Sequence, residues 1–549
     1  MAKIKLSDYL FKRIQELGVD KTFGIPGDFV LPLYAAQERI GMETVVLTHE
    51  PSIGFAADAY GRLRGLGVAL TTYGAGGLNM INPVGLAYAE ESPLLVISGA
   101  PETKFRSNKP QFHHCVKDFQ TQLRVFEAVT ESQAVLDNPI LAQAEIDRVL
   151  ETTVKKSRPG YIEIPRDMVN AEIEIHDRVP DAFENQAPTE ATYAAVSEIL
   201  SKLTKAKQPV LMAGAQLRRF HLMDKVIAFC EALNIPVVTS ILGKASFPET
   251  HRNFIGNYFG QFGNPKVKEF VEASDCILCL GAVLTEMETA GYTAKLPVEN
   301  LIQVTYQEVS VAHHTYQGLD IKFVVEELVK QAVKSKSIKF QIPKIDPEEL
   351  PDQKPEDPLK VSHIIKSLNS VLTSDFGVIS DVGDCLYSGL SLKTDIFIAP
   401  GYYSSMGFGT PAGIGAQFAN PKRRSIILVG DGAFQMTGME ISTAIKHGIN
   451  PIVVLFNNSS YAMLKFIDQQ RDYYDLARWD YVKLTEAIGG RAVRANTGAE
   501  FTDALSQALK SDKLFLIDAI LDKDDISPTL KRLTDHFGKK VRAALAQAN

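Results

Sequence analysis

Residues 425–458, SIILVGDGAFQMTGMEISTAIKHGINPIVVLFNN, constrain this chain more than any other stretch. The apolar runs 426–429 and 452–456 are short and rich in β-branched residues, so both read as strands buried on two faces. Between them Met436, Met439, Ile441, Ala444 and Ile445 recur at roughly helical spacing. Lys446 and His447 suit the negative end of a helix dipole, Gly448 supplies the stop, and Pro451 follows. The stretch is therefore a βαβ unit with parallel strands. That places Gly430-Asp431-Gly432 and Asn457-Asn458 at one carboxyl edge of a sheet, where open α/β sheets bind ligands. Glycines at 430 and 432 let backbone N–H groups approach an anion at a helix start. Asp431 and Asn458 offer the hard oxygen ligands that Mg²⁺ prefers when it also keeps a phosphate, with the carbonyl of Ser460 completing the protein's share.

A chain of 549 residues is too long for one ordinary core, and two to four domains are expected. Its net charge of −7 argues against nucleic acid or an anionic membrane as a partner. The basic cluster of Lys531, Arg532, Lys539, Lys540 and Arg542 reads as the wet face of a terminal helix. Five cysteines do not make a disulfide framework, and the Cys276/Cys279 pair lies in an apolar run where i and i+3 point to opposite faces. No stretch reaches the length of a membrane span and the amphipathic N-terminus has no signal-like core, so a cytoplasmic protein is expected.

Along residues 1–176 helical and strand patterns alternate: strands at 44–48, 68–72 and 94–98, a helix over 78–89, and a last strand at 159–165. A polar link at 177–189 leads to a second α/β region, 190–335, with strands at 209–213, 236–240, 276–281 and 301–304 and no acid or base cluster. Residues 336–359 are proline-rich and charged and read as an exposed tether. A third α/β region, 360–549, holds the opening stretch. The fold class is α/β, three doubly wound parallel-sheet domains, the middle one a scaffold.

Three further places attract chemistry. Glu50 stands where a strand ends and a helix begins, with Pro51 suited to the first helical turn. Asp28 follows Pro-Gly in a turn, a position Asp takes for local reasons as well. His113-His114 falls in a loop with aromatic and acidic neighbours, while a second doublet, His313-His314, serves as a control that such pairs arise without a catalytic role.

Gly-Asp-Gly alone matches by chance, but its pairing with Asn-Asn one βαβ unit later resembles the thiamin-diphosphate fingerprint. GIPGDF around Asp28, HEPSIGFAADAYGR around Glu50, FHHCV and that fingerprint occur in the order of the pyruvate-decarboxylase branch of thiamin-diphosphate enzymes. APGYYSSMGFGTPAGIGAQ and FNNSSYAML resemble its phenylpyruvate and indolepyruvate decarboxylases. The resemblance implies a pyrimidine-binding first domain and a diphosphate- and Mg²⁺-binding third domain, with Gly430, Asp431, Gly432, Ala433 and Asn458 around the diphosphate. Glu50 would bond the coenzyme's pyrimidine N1′, and Met406 would be the apolar wedge that bends the coenzyme. Asp28, His113 and His114 would handle protons at the reacting centre. Asp384 stands where many relatives carry a hydroxyl facing the 4′-amino group; it replaces that contact, shifts the local charge, or points away.

One departure concerns the substrate. Pyruvate-preferring relatives carry Ile-Glu where this chain has Met463-Leu464, so an acid is replaced by an apolar side chain. With Ile467, and with Leu530, Leu533 and Phe537 as further candidates, these would line a pocket for a large apolar side chain. The resemblance thus implies decarboxylation of a phenylpyruvate-like 2-oxo acid to the aldehyde, with Glu50 of one chain meeting a coenzyme whose diphosphate binds the third domain of a neighbouring chain, which makes a homodimer the smallest competent unit, assembled into a homotetramer. The alternatives are a branched-chain 2-oxo acid decarboxylase, an acetohydroxyacid synthase, or a coenzyme-binding scaffold without catalysis.

Overall fold

The computed structural model describes residues 2–108, 110–176, 187–334, 340–468 and 471–548. Two six-stranded sheets flank a seven-stranded one in the chain. The first sheet runs Glu43–Val46, Lys21–Gly24, Gly67–Thr71, Leu94–Ala100, Gly160–Pro165, Ser132–Val135, all parallel. The third runs Phe397–Ile398, Phe376–Ser380, Arg424–Gly430, Ile452–Asn457, Phe515–Ile520, Arg491–Ala495, again all parallel. Numbered within each sheet, both orders are 2-1-3-4-6-5. The direction of winding reverses beside the first strand of each, and ligands of doubly wound sheets bind in the crevice there.

The opening stretch forms its βαβ unit. Arg424–Gly430 and Ile452–Asn457 are adjacent and parallel, with Gly430 opposite Phe456. The connecting helix is not the continuous one expected. Asp431–Thr437 passes through a 3₁₀ turn, Gly438–Glu440, into Ile441–Lys446. Phe434, Thr437, Ile441 and Ala444 face inward at the 3-4-3 spacing of one helical stripe, while Met436 and Met439 fall on the opposite face and are exposed. The expected helix over 78–89 likewise splits into Ala75–Asn79 and Ile81–Ala89.

The middle sheet departs from a purely parallel plan. Five parallel strands end in an antiparallel hairpin, Gln307–Val311 and His314–Leu319. His313-His314 lies at this hairpin's turn, where Ala312 takes φ 54°, and His314 Nδ1 meets Glu198 at 3.0 Å. The second doublet is therefore a surface turn. In the first region a further strand follows 159–165: Glu172–Ile175 pairs antiparallel with Ala2–Lys5.

The polar link expected at 177–189 lies largely outside the described residues. The proline-rich segment carries no helix or strand over 340–358, yet it is not a free tether. Ile342 and Ile345 pack on the middle region's core, Leu350 packs on that of the third, and Glu348 accepts two bonds from Arg532 at 2.7 and 2.9 Å. Prolines remove backbone donors from such a segment but leave its apolar side chains free to be buried. Among the described residues no helix is long and apolar enough to cross a membrane.

Candidate active site

At the switch point of the third sheet, Asp431 opens its helix directly after the strand ends at Gly430. Its carboxylate is buried. Oδ1 accepts from Gly432 N at 2.9 Å and Oδ2 from Ser459 N at 2.5 Å. Burial pushes its pKa up to about 7, against the lowering effect of the Ser459, Gly432 and Asn458 N–H groups. Ser459 turns the chain back with φ 55°, and Asn458 Oδ1 accepts from Ser460 N at 3.1 Å. Asn457, the other asparagine, is structural: its amide donates to Asp518 at 2.7 Å, which also receives Arg494.

The residues present fit a bound Mg²⁺ and diphosphate. A buried carboxylate with the amide oxygen of Asn458 on the neighbouring turn is a hard-oxygen donor set of the kind Mg²⁺ takes. A Cβ added at Gly430 would meet nothing within 4 Å, so backbone there lies open to an anion. At Gly432 a Cβ would stand 2.5 Å from the Tyr461 ring, which requires glycine for packing. Ala433 is buried beside it, and the buried Ser460 hydroxyl has no hydrogen-bond partner among the described residues.

The switch point of the first sheet gathers the other candidates. Asp28 follows the Lys21–Gly24 strand, and its Oδ2 lies 2.7 Å from His113 Nε2. Thr72, just past the neighbouring strand, donates to Asp28 Oδ1 at 3.4 Å. Burial would raise the Asp28 pKa, but the His113 hydrogen bond and charge, then the Phe29 N–H and His114, hold it below the usual carboxylate value. His113 stacks on Phe29 with ring centroids 5.0 Å apart and meets His114 edge-on at 4.8 Å. His114 takes φ 69°. A Cβ at Gly74 would fall 1.9 Å from the His114 carbonyl, so glycine at 74 permits that conformation. Nearby, Glu50 begins the helix Glu50–Arg64 and accepts from Asn79 Nδ2 at 2.9 Å. Asp28 and His113 are exposed, and Glu50 is half-buried.

The two edges communicate through a residue that sequence reasoning missed. Buried Glu440, at the end of the 3₁₀ turn, accepts from Thr48 N at 3.1 Å and Thr48 Oγ1 at 2.7 Å, two residues before Glu50. Its own Thr443 donates to it at 2.8 Å. Asp381 was also missed. It is fully buried past the Phe376–Ser380 strand and accepts from backbone N–H groups on the loop carrying Met406. Neither acid sits in a motif, and on a bare sequence each reads as solvent-facing.

Met406 is half-buried against the large core shared by the first and third regions. Asp384 opens the helix Asp384–Gly389. Its Oδ2 accepts from Ser527 N at 2.8 Å and its Oδ1 from the Ser527 hydroxyl. Burial of the carboxyl pushes its pKa up to about 7, with Ser527 opposing. Of the roles left open for Asp384, this contact matches the one in which the carboxylate is turned to another partner, here the start of the terminal helix Pro528–Ala548.

The helix Ala462–Ile467 separates the pocket candidates. Met463 packs into a cluster with Leu530, Leu533 and Phe537. Leu530 and Leu533 are fully buried, so they are core rather than pocket lining. Leu464 points outward, 46% exposed, with Ile467 three residues on along the same face.

Comparison with known proteins bears on the whole chain. Residues 4–125 match the thiamine pyrophosphate enzyme N-terminal TPP binding domain, 196–331 the central domain, and 382–519 the C-terminal TPP binding domain. The chain belongs to the thiamine pyrophosphate enzymes. An indole-3-pyruvate decarboxylase of Azospirillum brasilense is 38% identical over 534 residues, 96% of this chain and 97% of that one. A pyruvate decarboxylase of Candida glabrata is 30% identical, covering 96% and 97%. Pyruvate decarboxylase 4 of Arabidopsis thaliana is 31% identical, covering 98% and 92%. The coenzyme is thiamin diphosphate with Mg²⁺, and the chain is a carboxy-lyase acting on 2-oxo acids.

Proposed function

We propose that this enzyme decarboxylates a 2-oxo acid with an aromatic or bulky apolar side chain, giving CO₂ and the aldehyde with uptake of one proton. The observation that carries the reading is Leu464. An apolar side chain stands outward there with Ile467 on its face, just beyond the Asn458 turn. Such a surface favours a large apolar group over a methyl. The indole-3-pyruvate activity named for the Azospirillum brasilense relative points the same way.

In this reading Asp431, Asn458 and the Ser460 carbonyl hold Mg²⁺, and backbone from Gly430 to Ala433 meets the diphosphate. The bound coenzyme supplies the acceptor for the electron pair released as CO₂ departs. Glu50, oriented by Asn79, holds a proton at its carboxyl against the aminopyrimidine. Asp28 Oδ2 and His113 Nε2 lie 2.7 Å apart, within reach for passing a proton toward the product carbon, with His114 beside them.

Exposure of Asp28 and His113 in the single chain supports a site closed by a second copy: a homodimer as the working unit, with a homotetramer as a pair of dimers. Five free cysteines suit a cytoplasmic setting. Decarboxylation rates for phenylpyruvate, indolepyruvate, 2-oxoisovalerate and pyruvate test the reading, each with and without added thiamin diphosphate and Mg²⁺. An aromatic substrate should give the highest kcat/KM. A ranking led by pyruvate would overturn the proposal, and one led by 2-oxoisovalerate would favour the branched-chain alternative.

A further inference from the structure

The loop 401–409 runs between the first and third regions and is held along its length. On the near side buried Glu90 accepts from Tyr402 N at 2.8 Å and Tyr403 N at 2.9 Å, and Asn82 donates to Ser405 Oγ at 2.8 Å. On the far side two groups of the third region close on the residues around Met406. Asp381 Oδ1 accepts from Gly407 N at 3.3 Å, and Asp381 Oδ2 accepts from Gly409 N at 2.7 Å. Thr437, on the helix that Asp431 opens, donates its hydroxyl to the Gly407 carbonyl at 2.6 Å. The geometry leaves little slack. Gly407 takes φ 83°, and a Cβ at Gly409 would meet the Asp381 backbone N at 3.0 Å and its Oδ2 at 3.2 Å. Asp381 is itself fixed to the sheet, its N–H donating to the Leu428 carbonyl at 2.8 Å.

We propose that Asp381 is a positioning residue: a buried carboxylate that clamps the loop through Gly407 and Gly409 and so presets the Met406 side chain against the coenzyme. The inference rests on the reading of Met406 as the wedge. Only a carboxylate presents two acceptors here. An asparagine would turn one N–H donor toward another, and the site is too enclosed for water to repair the loss. Asp381 touches only backbone, so its effect on the coenzyme passes through Met406.

Two measurements separate the clamp from the wedge. In protein stripped of coenzyme and Mg²⁺, amide exchange across residues 401–409 is followed by mass spectrometry. Asp381→Asn should speed it by about tenfold or more, as expected for a local opening that loses buried bonds, and Asp381→Glu should restore part of the protection. In the holoenzyme, Asp381→Asn should leave affinity for Mg²⁺-thiamin diphosphate within about threefold, yet slow exchange of the coenzyme's C2 hydrogen on the order of 10²-fold, the usual effect of a slight misplacement. The same change made in a Met406→Ala background should add little, since the two act as one unit. Unchanged amide exchange would overturn the clamp. Faster amide exchange with normal C2–H exchange would overturn the link to Met406, leaving the substrate reading untouched. Asp381→Ser, which keeps one acceptor, carries the same readouts should the asparagine variant fail to fold.

Discussion

The first and third sheets share one strand order, yet their crevices differ in finish. In the third, Asp431 is buried and already bonded to Gly432 and Ser459, with Asn458 folded back on Ser460. In the first, Asp28 and His113 are exposed, and the Glu50 carboxylate meets only Asn79 among the described residues. The anchoring half is preformed, while the proton-handling half lies open. A diphosphate and its metal demand fixed oxygen geometry before binding. Acid–base groups need only reach their atoms once the coenzyme and its cover are in place.

Several changes would break or sharpen that contrast. Asp431→Ala should abolish Mg²⁺-dependent coenzyme retention, weakening it by about 10²-fold or more as expected for loss of a charged ligand; retained coenzyme after gel filtration would mean the third crevice is not the anchor. Asp28→Asn should leave retention intact but lower kcat by about 10²-fold and displace the pH–rate profile, because His113 loses its anionic partner. Equal loss of coenzyme would erase the division of labour. Leu464→Glu should shift relative kcat/KM toward pyruvate by about tenfold or more, measured with the same four oxo acids. The smallest effect is on stability. Burial raises the Asp384 pKa in the folded chain from the ordinary carboxylate range to about 7, so its contribution is fully present below that range and is lost as pH rises through about 7. Asp384→Asn should remove this loss and flatten the fall in stability across that window. Denaturant midpoints at several pH values check it.

The parts of this molecule written locally in the chain were legible there. The Gly-Asp-Gly turn, the strands around it and the Asn-Asn end follow from spacing and side-chain type, and the resemblance added Glu50, Asp28 and the first histidine doublet. What escaped depends on distant partners. Asp381 bonds Gly407 and Gly409, Glu440 bonds Thr48 across hundreds of residues, and Asp384 is committed to Ser527. No local pattern marks a buried acid whose partners are backbone N–H groups elsewhere. At Gly438, where the helix after Asp431 is interrupted, a Cβ would strike the Phe434 ring at 2.4 Å. Met436 and Met439 fit a helical stripe that the fold does not continue.

In the proposed function Glu50, from the open crevice, acts on a coenzyme that the closed crevice holds. Exchange of the C2 hydrogen of thiamin diphosphate bound to Glu50→Gln protein tests it most directly. Coenzyme should be retained with Mg²⁺ and exchange slowed by about 10²-fold or more; exchange at the unmodified rate in that variant would mean that Glu50 takes no part in it.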